Sequence, residues 1–218
     1  MTQKQTKSGM SDPALMALVR AIAAGDDLAA SRLISGSPTL ASATFAGGAT
    51  RQAAKPFLLP EIGRYIYAGD TALHVAAAGY RHQIARRLIA AGADIRARNR
   101  LGGEPLHAAA VGRPGSRSWN PSAQAATIAC LIEAGADPDA VDKIGVTALH
   151  RAVRTRCAAA VRALLEAGAD VNCRNRNGST PMGLATRNTG RGGTGLPEAK
   201  AQQQEIVRLL ERYGATLT

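Results

Sequence analysis

The sequence predicts an all-α solenoid of stacked helix-turn-helix units with β-turn tips, and three observations carry that prediction. Short motifs recur with a base period of 33 residues. Each recurrence leads into an Ala-rich stretch and then an apolar stripe at helical i, i+3/i+4 spacing that ends in Gly. Aromatic residues are only 3% of a chain that is 45% hydrophobic, which disfavours sheets packed with aromatic side chains and favours closely packed Ala/Leu helices. A length of 218 residues suits one domain, and 20% charged residues exclude a membrane-embedded chain.

Residues 1–11 are expected to be disordered and 12–218 to form one repeat domain. Ala14 to Ala24 and Asp27 to Ile34, separated by Gly25-Asp26, read as a capping helix pair over 12–35 with degraded markers, because a terminal repeat turns one face to water. Residues 36–70 form a long, partly ordered connection. Phe57, Leu58, Leu59, Ile62, Tyr65, Ile66 and Tyr67 predict packing there, with a short helix around Pro60 to Tyr65. Four units follow: 71–98, 99–141 with a 10-residue insertion, 142–174, and a terminal unit 175–218 with a 13-residue insertion. Their starts are Thr71-Ala72-Leu73-His74, Glu104-Pro105-Leu106-His107, Thr147-Ala148-Leu149-His150 and Thr180-Pro181-Met182-Gly183. In Thr71 and Thr147 the hydroxyl can cap the first helical turn while the His three residues on bonds back to it. Second helices are read from Ile84/Leu88/Ile89, Ile128/Leu131/Ile132 and Val161/Leu164/Leu165, and Gly92, Gly135, Gly168 and Gly214 stop them. Asn99-x-x-Gly102, Asp142-x-x-Gly145 and Asn175-x-x-Gly178 precede the next unit start by five residues and carry turn chemistry. The insertions, Arg113 to Ala123 and Thr189 to Ala201, join first helix to second and so leave the stack on the edge opposite the turn tips.

Three registers agreeing over roughly seven-tenths of the chain resemble the ankyrin repeat, a 33-residue β-turn and helix pair with T-P-L-H-x-A near the start of its first helix. The resemblance implies a stack that binds proteins through turn tips and first-helix faces and does not catalyse. It also assigns His74, His107 and His150 to the repeat's own structural position.

The residues themselves offer no catalytic constellation. Cys130, Cys157 and Cys173 are odd in number and lack C-x-x-C spacing, so neither a disulfide framework nor a zinc site is encoded, and a reducing compartment fits. Arg156 beside Cys157 can lower a thiol pKa, but no His is placed next to it by sequence. The run Thr189 to Gly195 lacks the phosphate-loop pattern and reads as a flexible insertion. His82 stands alone. No catalytic residue, metal site or cofactor is therefore assigned. Ala14 to Ala24 is interrupted by Arg20 and has no cleavage site, so the expectation is a cytoplasmic monomer without secretory signal or membrane span.

Charge gives the remaining signal. Lys+Arg 27 against Asp+Glu 16 leaves +11, with 22 of the basic residues Arg, a skew that genome base composition produces without selection for binding. Counting four and seven residues on from each unit start gives Val75/Ala78, Ala108/Val111, Arg151/Arg154 and Leu184/Arg187 as tip-side first-helix positions. With the turn residues, these place Arg98, Arg100, Lys143, Arg151, Arg154, Arg174, Arg176 and Arg187 along one basic groove for an acidic protein partner. A solvated charged face is the alternative origin of the same pattern. Arg113, Arg117, Trp119, Arg156 and Arg191 form a possible second patch at the insertions; Trp119 is either an anchor there or folded back over helix ends. The competing function is nucleic-acid binding by the Arg-rich face, ranked lower because no aromatic residues are interleaved with the cations.

Overall fold

The computed structural model describes residues 13–116, 119–187 and 197–216. The capping pair is α1 (Pro13–Ala24) and α2 (Asp27–Gly36). α1 buries Leu15, Leu18, Val19 and Ile22, the i, i+3, i+4, i+7 face of an amphipathic helix. Asp26 caps α2 by accepting the Ala29 N–H at 2.9 Å. The units follow as α3 (Ala72–Ala78) with α4 (His82–Ala90), α5 (Pro105–Ala109) with α6 (Pro121–Glu133), α7 (Ala148–Arg154) with α8 (Ala158–Glu166), and α9 (Pro181–Thr186) with α10 (Pro197–Arg212).

First helices pack in the order α1, α3, α5, α7, α9 and second helices in the order α2, α4, α6, α8, α10, so each layer packs against its sequence neighbours. The core is two columns. Leu73, Leu106, Leu149 and Met182, all at the third position of the unit motif, line the first-helix row; Ile84/Leu88, Ile128/Leu131, Val161/Leu164 and Ile206/Leu210 line the second. Second helices end as the Gly spacing predicts. Gly92, Gly135, Gly168 and Gly214 have positive φ, and the next N–H reaches back into the helix, as in Ala93 to Leu88 O at 2.9 Å and Ala169 to Leu164 O at 3.0 Å.

The 10-residue insertion lies between α5 and α6 and lengthens the second helix: α6 has 13 residues where α4 and α8 have 9. Of the second insertion, 188–196 lies outside the described residues, including Arg191 and the glycine run.

The connection 36–70 is ordered and differs in detail from the expected short helix. Residues 44–49 run antiparallel to 66–71: Phe45 N–H bonds to Asp70 O at 2.9 Å, Gly69 N–H to Phe45 O at 2.8 Å, and Ala49 N–H to Ile66 O at 2.8 Å. Around Pro60 to Tyr65 the chain makes a hairpin, β1 (Leu58–Leu59) against β2 (Arg64–Tyr65), joined by a single 3-10 turn at Pro60–Ile62. Gly63 at φ 58 ends that turn and returns the chain before a helix can propagate.

α3 touches α1, α4, α5 and the 3-10 turn at Pro38–Ala41. The 3-10 turn at Pro60–Ile62 packs on α1, and the Ile62 side chain lies against Gly79 at the end of α3, so the hairpin sits against the cap and the first unit. Arg113 of the second unit also reaches Gly63 of the hairpin. No helix among the described residues is long and apolar enough to cross a membrane.

Candidate protein-interaction surface

Each turn tip is built by one side chain. Asn99 Oδ1 accepts the N–H groups of Leu101 (3.0 Å) and Gly103 (3.2 Å); Asp142 Oδ1 accepts those of Ile144 and Val146 (both 3.0 Å); Asn175 Oδ1 accepts those of Asn177 (2.9 Å) and Ser179 (3.1 Å). These are the Asx turns the sequence implies, here doubled by closure of each tip through its backbone. Tips then join edge to edge: Arg100 N–H donates to Ala68 O (2.7 Å), Lys143 to Leu101 O (3.1 Å) and Arg176 to Ile144 O (3.2 Å).

The unit histidines tie the tips to the helices. His74, His107 and His150 are buried and donate Nε2–H to the carbonyls of Gly103 (3.1 Å), Val146 (3.0 Å) and Ser179 (3.0 Å) in the following unit. A carbonyl only accepts, so Nε2 carries the proton and Nδ1 is the acceptor for Thr71, Glu104 and Thr147 N–H. Burial holds all three below the usual imidazole range, His107 down to about 4. They are neutral linkers between units.

The eight cations of the predicted groove divide by environment. Arg98 is spent on Glu104 (3.0 Å), whose carboxyl stands where the other units carry Thr. Arg151 donates to Asp142 Oδ2 at 2.8 Å and is mostly buried, bracing the tip from the first helix. Burial alone would raise the Asp142 carboxyl, but the Arg151 guanidinium and the two tip N–H groups outweigh it and hold the pKa below the ordinary value. Arg174 Nη1 donates to Gly178 O at 3.1 Å within its own tip. Arg100 lies over the Tyr67 ring, 4.9 Å from its centroid, and donates to Ala49 O at 2.9 Å, so it is exposed yet fixed in place. Lys143, Arg176 and Arg187 are exposed and have no ion-pair partner among the described residues. Arg154 is exposed on the same first-helix row.

The tips also carry an apolar column the sequence reading did not single out. Leu101 is 44% exposed and Ile144 56%, each directly after the basic turn residue. The signal was present as the second residue after each Asn or Asp, but only packing shows that these side chains point outward.

The second patch does not assemble among the described residues. Arg156 is 3% exposed and adopts φ 60, equivalent to Tyr80 at φ 58 in the first unit, so it belongs to a tight helix-helix link and not to a surface. Arg113 reaches Gly63 of the hairpin, and Arg117 and Arg191 lie outside the described residues. Trp119 is folded back: its ring fills the space beside Gly112 and Cys157, and Nε1–H donates to Gln124 Oε1 at 3.0 Å. Cys157 is fully buried and its thiol is pushed up by burial, opposite to the shift a nucleophile requires. One thiol-imidazole juxtaposition escaped the sequence reading: Cys173 Sγ lies 3.7 Å from His150 Nδ1. That thiol is raised by burial to about 11, and Nδ1 already accepts the Thr147 N–H, so the pair lacks the thiolate character of an activated cysteine. Among the described residues no three His, Cys, Asp or Glu side chains come together to hold a metal.

A family model described as an ankyrin repeat matches residues 68–100, and one described as ankyrin repeats in many copies matches residues 131–185. No curated protein matches the chain. Both matched stretches fall on tip-and-helix-pair units whose geometry repeats in register, and the chain therefore carries ankyrin repeats, which serve in general as protein-protein interaction modules.

Proposed function

We propose that this chain is a non-enzymatic adaptor that docks an acidic protein surface on the tips and first helices of its second to fourth units. The observation that carries this reading is the row of exposed cations without carboxylate partners among the described residues, Lys143, Arg176 and Arg187, beside the exposed Leu101 and Ile144. Charged groups already neutralised inside a fold add little to association, whereas unpaired ones steer and orient a partner of opposite sign. An apolar strip flanked by such cations suits an interface with a small desolvated centre and a charged rim.

The test is an affinity pull-down at low and moderate salt comparing wild type with Lys143→Glu, Arg176→Glu and Arg187→Glu combined. The expected outcome is loss of acidic partners captured by wild type, with the melting curve unchanged because none of the three side chains is in an ion pair among the described residues. Equal capture by both proteins overturns the reading. If the captured species is nucleic acid, its affinity should fall on a log-log salt plot with a slope near −0.9 per duplex phosphate contact, which assigns the face to that competitor.

A further inference from the structure

We infer that the tip row recognises an acidic segment in the polyproline II conformation with a carboxylate at every third residue; this rests on the acidic-partner reading above and adds its register. Arg100, Lys143 and Arg176 hold the same place in successive turns, each directly after the Asn or Asp that builds the tip. Their backbones are linked by the tip-to-tip hydrogen bonds already described. The side chains of Lys143 and Arg176 also lean the same way: Cγ of Lys143 lies 2.9 Å from where a Cβ on Gly102 would stand, and Cγ of Arg176 lies 3.2 Å from the same place on Gly145. The three cations therefore form one column with one step per unit.

That step is the spacing of the stacked first helices, about 8–10 Å for helices in direct contact. A polyproline II helix has three residues per turn and rises about 3.1 Å per residue, so it returns the same face roughly every 9 Å. A β-strand does not fit the column, because successive third residues fall on opposite faces. Carboxylates at i, i+3 and i+6 of a polyproline II segment can thus meet Arg100, Lys143 and Arg176 together. The adjoining residue of each turn of that segment faces the parallel column of Leu101 and Ile144, which calls for an apolar side chain next to each acid. Two features prepare the site. Arg100 is immobilised on Tyr67 and Ala49, so its rotamers are restricted before binding, and the polyproline II helix is itself pre-ordered.

The experiment is fluorescence anisotropy of the full chain with two labelled nonapeptides of identical composition and charge: (Glu-Leu-Pro) repeated three times, and the same residues in blocks of three Glu, three Leu and three Pro. A short oligothymidylate is the third probe. The periodic peptide is expected to bind about tenfold more tightly than the blocked one, and Lys143→Gln with Arg176→Gln should abolish that preference. Equal affinity for the two peptides, lost in the variant, overturns the register while the acidic-partner reading stands. Binding of neither peptide overturns both. Tighter binding of the oligothymidylate than of either peptide also overturns both and assigns the column to phosphate. Matching thermal melts of variant and wild type ensure that a lost signal is not lost structure.

Discussion

Single residues in this protein hold neighbouring units together as often as they hold their own. His74, His107 and His150 each bond backward to their own helix start and forward to the next tip, and the forward acceptor is 29 to 39 residues away. Protonation would destroy the Nδ1 acceptor and place a charge in a dry site. Below pH about 6.5 the unfolded chain's histidines take up protons that the folded imidazoles refuse. Stability should therefore be complete above that pH and fall as the pH drops toward the depressed folded values, about 4 for His107. Urea titrations at pH 7.5, 6 and 5 check this; a midpoint constant over that range contradicts it. The tip glycines offer a second residue-scale test. A Cβ at Gly102 or Gly145 would stand 2.8 and 2.9 Å from the next tip's backbone nitrogen, whereas Gly178, at a similar φ of 72, has open space beyond it. Gly178→Ala should cost about 1–2 kcal/mol from left-handed strain alone. Gly102→Ala and Gly145→Ala should cost clearly more, because the adjoining tip must also shift, and denaturant melts will rank the three. The turn role of these glycines was legible in Asn-x-x-Gly and Asp-x-x-Gly; the second role was not, since it depends on a neighbour that sequence spacing does not place.

At the scale of the element, the hairpin within residues 36–70 is the least repeat-like part and is latched by a buried ion pair. Arg64 Nη2 lies 3.2 Å from Asp70 Oδ1, and Asp70 also accepts from Tyr67 N–H at 2.8 Å and from Asn99 Nδ2 at 2.9 Å. Asp70 is fully buried, so its charge depends on those partners. Arg64→Met leaves the carboxylate without its cation and should cost about 3–5 kcal/mol. Arg86→Ala removes an ion pair with Glu133 whose side chains are 61% and 66% exposed, and should change stability by less than about 1 kcal/mol. Equal melting shifts for the two variants would contradict the latch. The apolar run from Phe57 to Tyr67 announced an ordered connection. It did not announce a hairpin, because two-residue strands carry too little periodicity to be separated from a helical turn. The Arg64–Asp70 pair was illegible for the same reason: it exists only once Gly63 reverses the chain.

For the whole molecule, stability is a sum of layers and the couplings between them. Leu149 is fully buried at the centre of the first-helix row, where α7 meets α5, α8 and α9. Leu149→Ala should cost about 2–5 kcal/mol through lost contacts and a residual cavity. In hydrogen exchange the loss should appear in α7 to α10 while α1 to α4 retain protection, since they touch only layers on the far side. Uniform loss along the chain would mean that the stack unfolds as a single unit. The 36–70 segment lies against the cap and the first unit and reaches the second through Arg100 and Arg113. Lys143, Arg176 and Arg187, which carry the proposed docking surface, lie away from that segment in the third and fourth units.

Periodicity alone was enough to predict the helix-turn-helix repeat and the identity of the turn builders. Each of these follows from local chemistry repeated at a constant interval: a capping hydroxyl, an apolar stripe, a glycine stop. Which cations face a partner is a different kind of property. Arg98 and Arg151 look the same in sequence as Arg176 and Arg187, yet the first two are paired with Glu104 and Asp142 and the last two have no carboxylate partner among the described residues. The outward turn of Leu101 and Ile144, the burial of Arg156 and the path of the hairpin likewise arise from contacts between segments distant along the chain. Their free energies depend on distance and solvent exposure, quantities that exist only after the layers have packed.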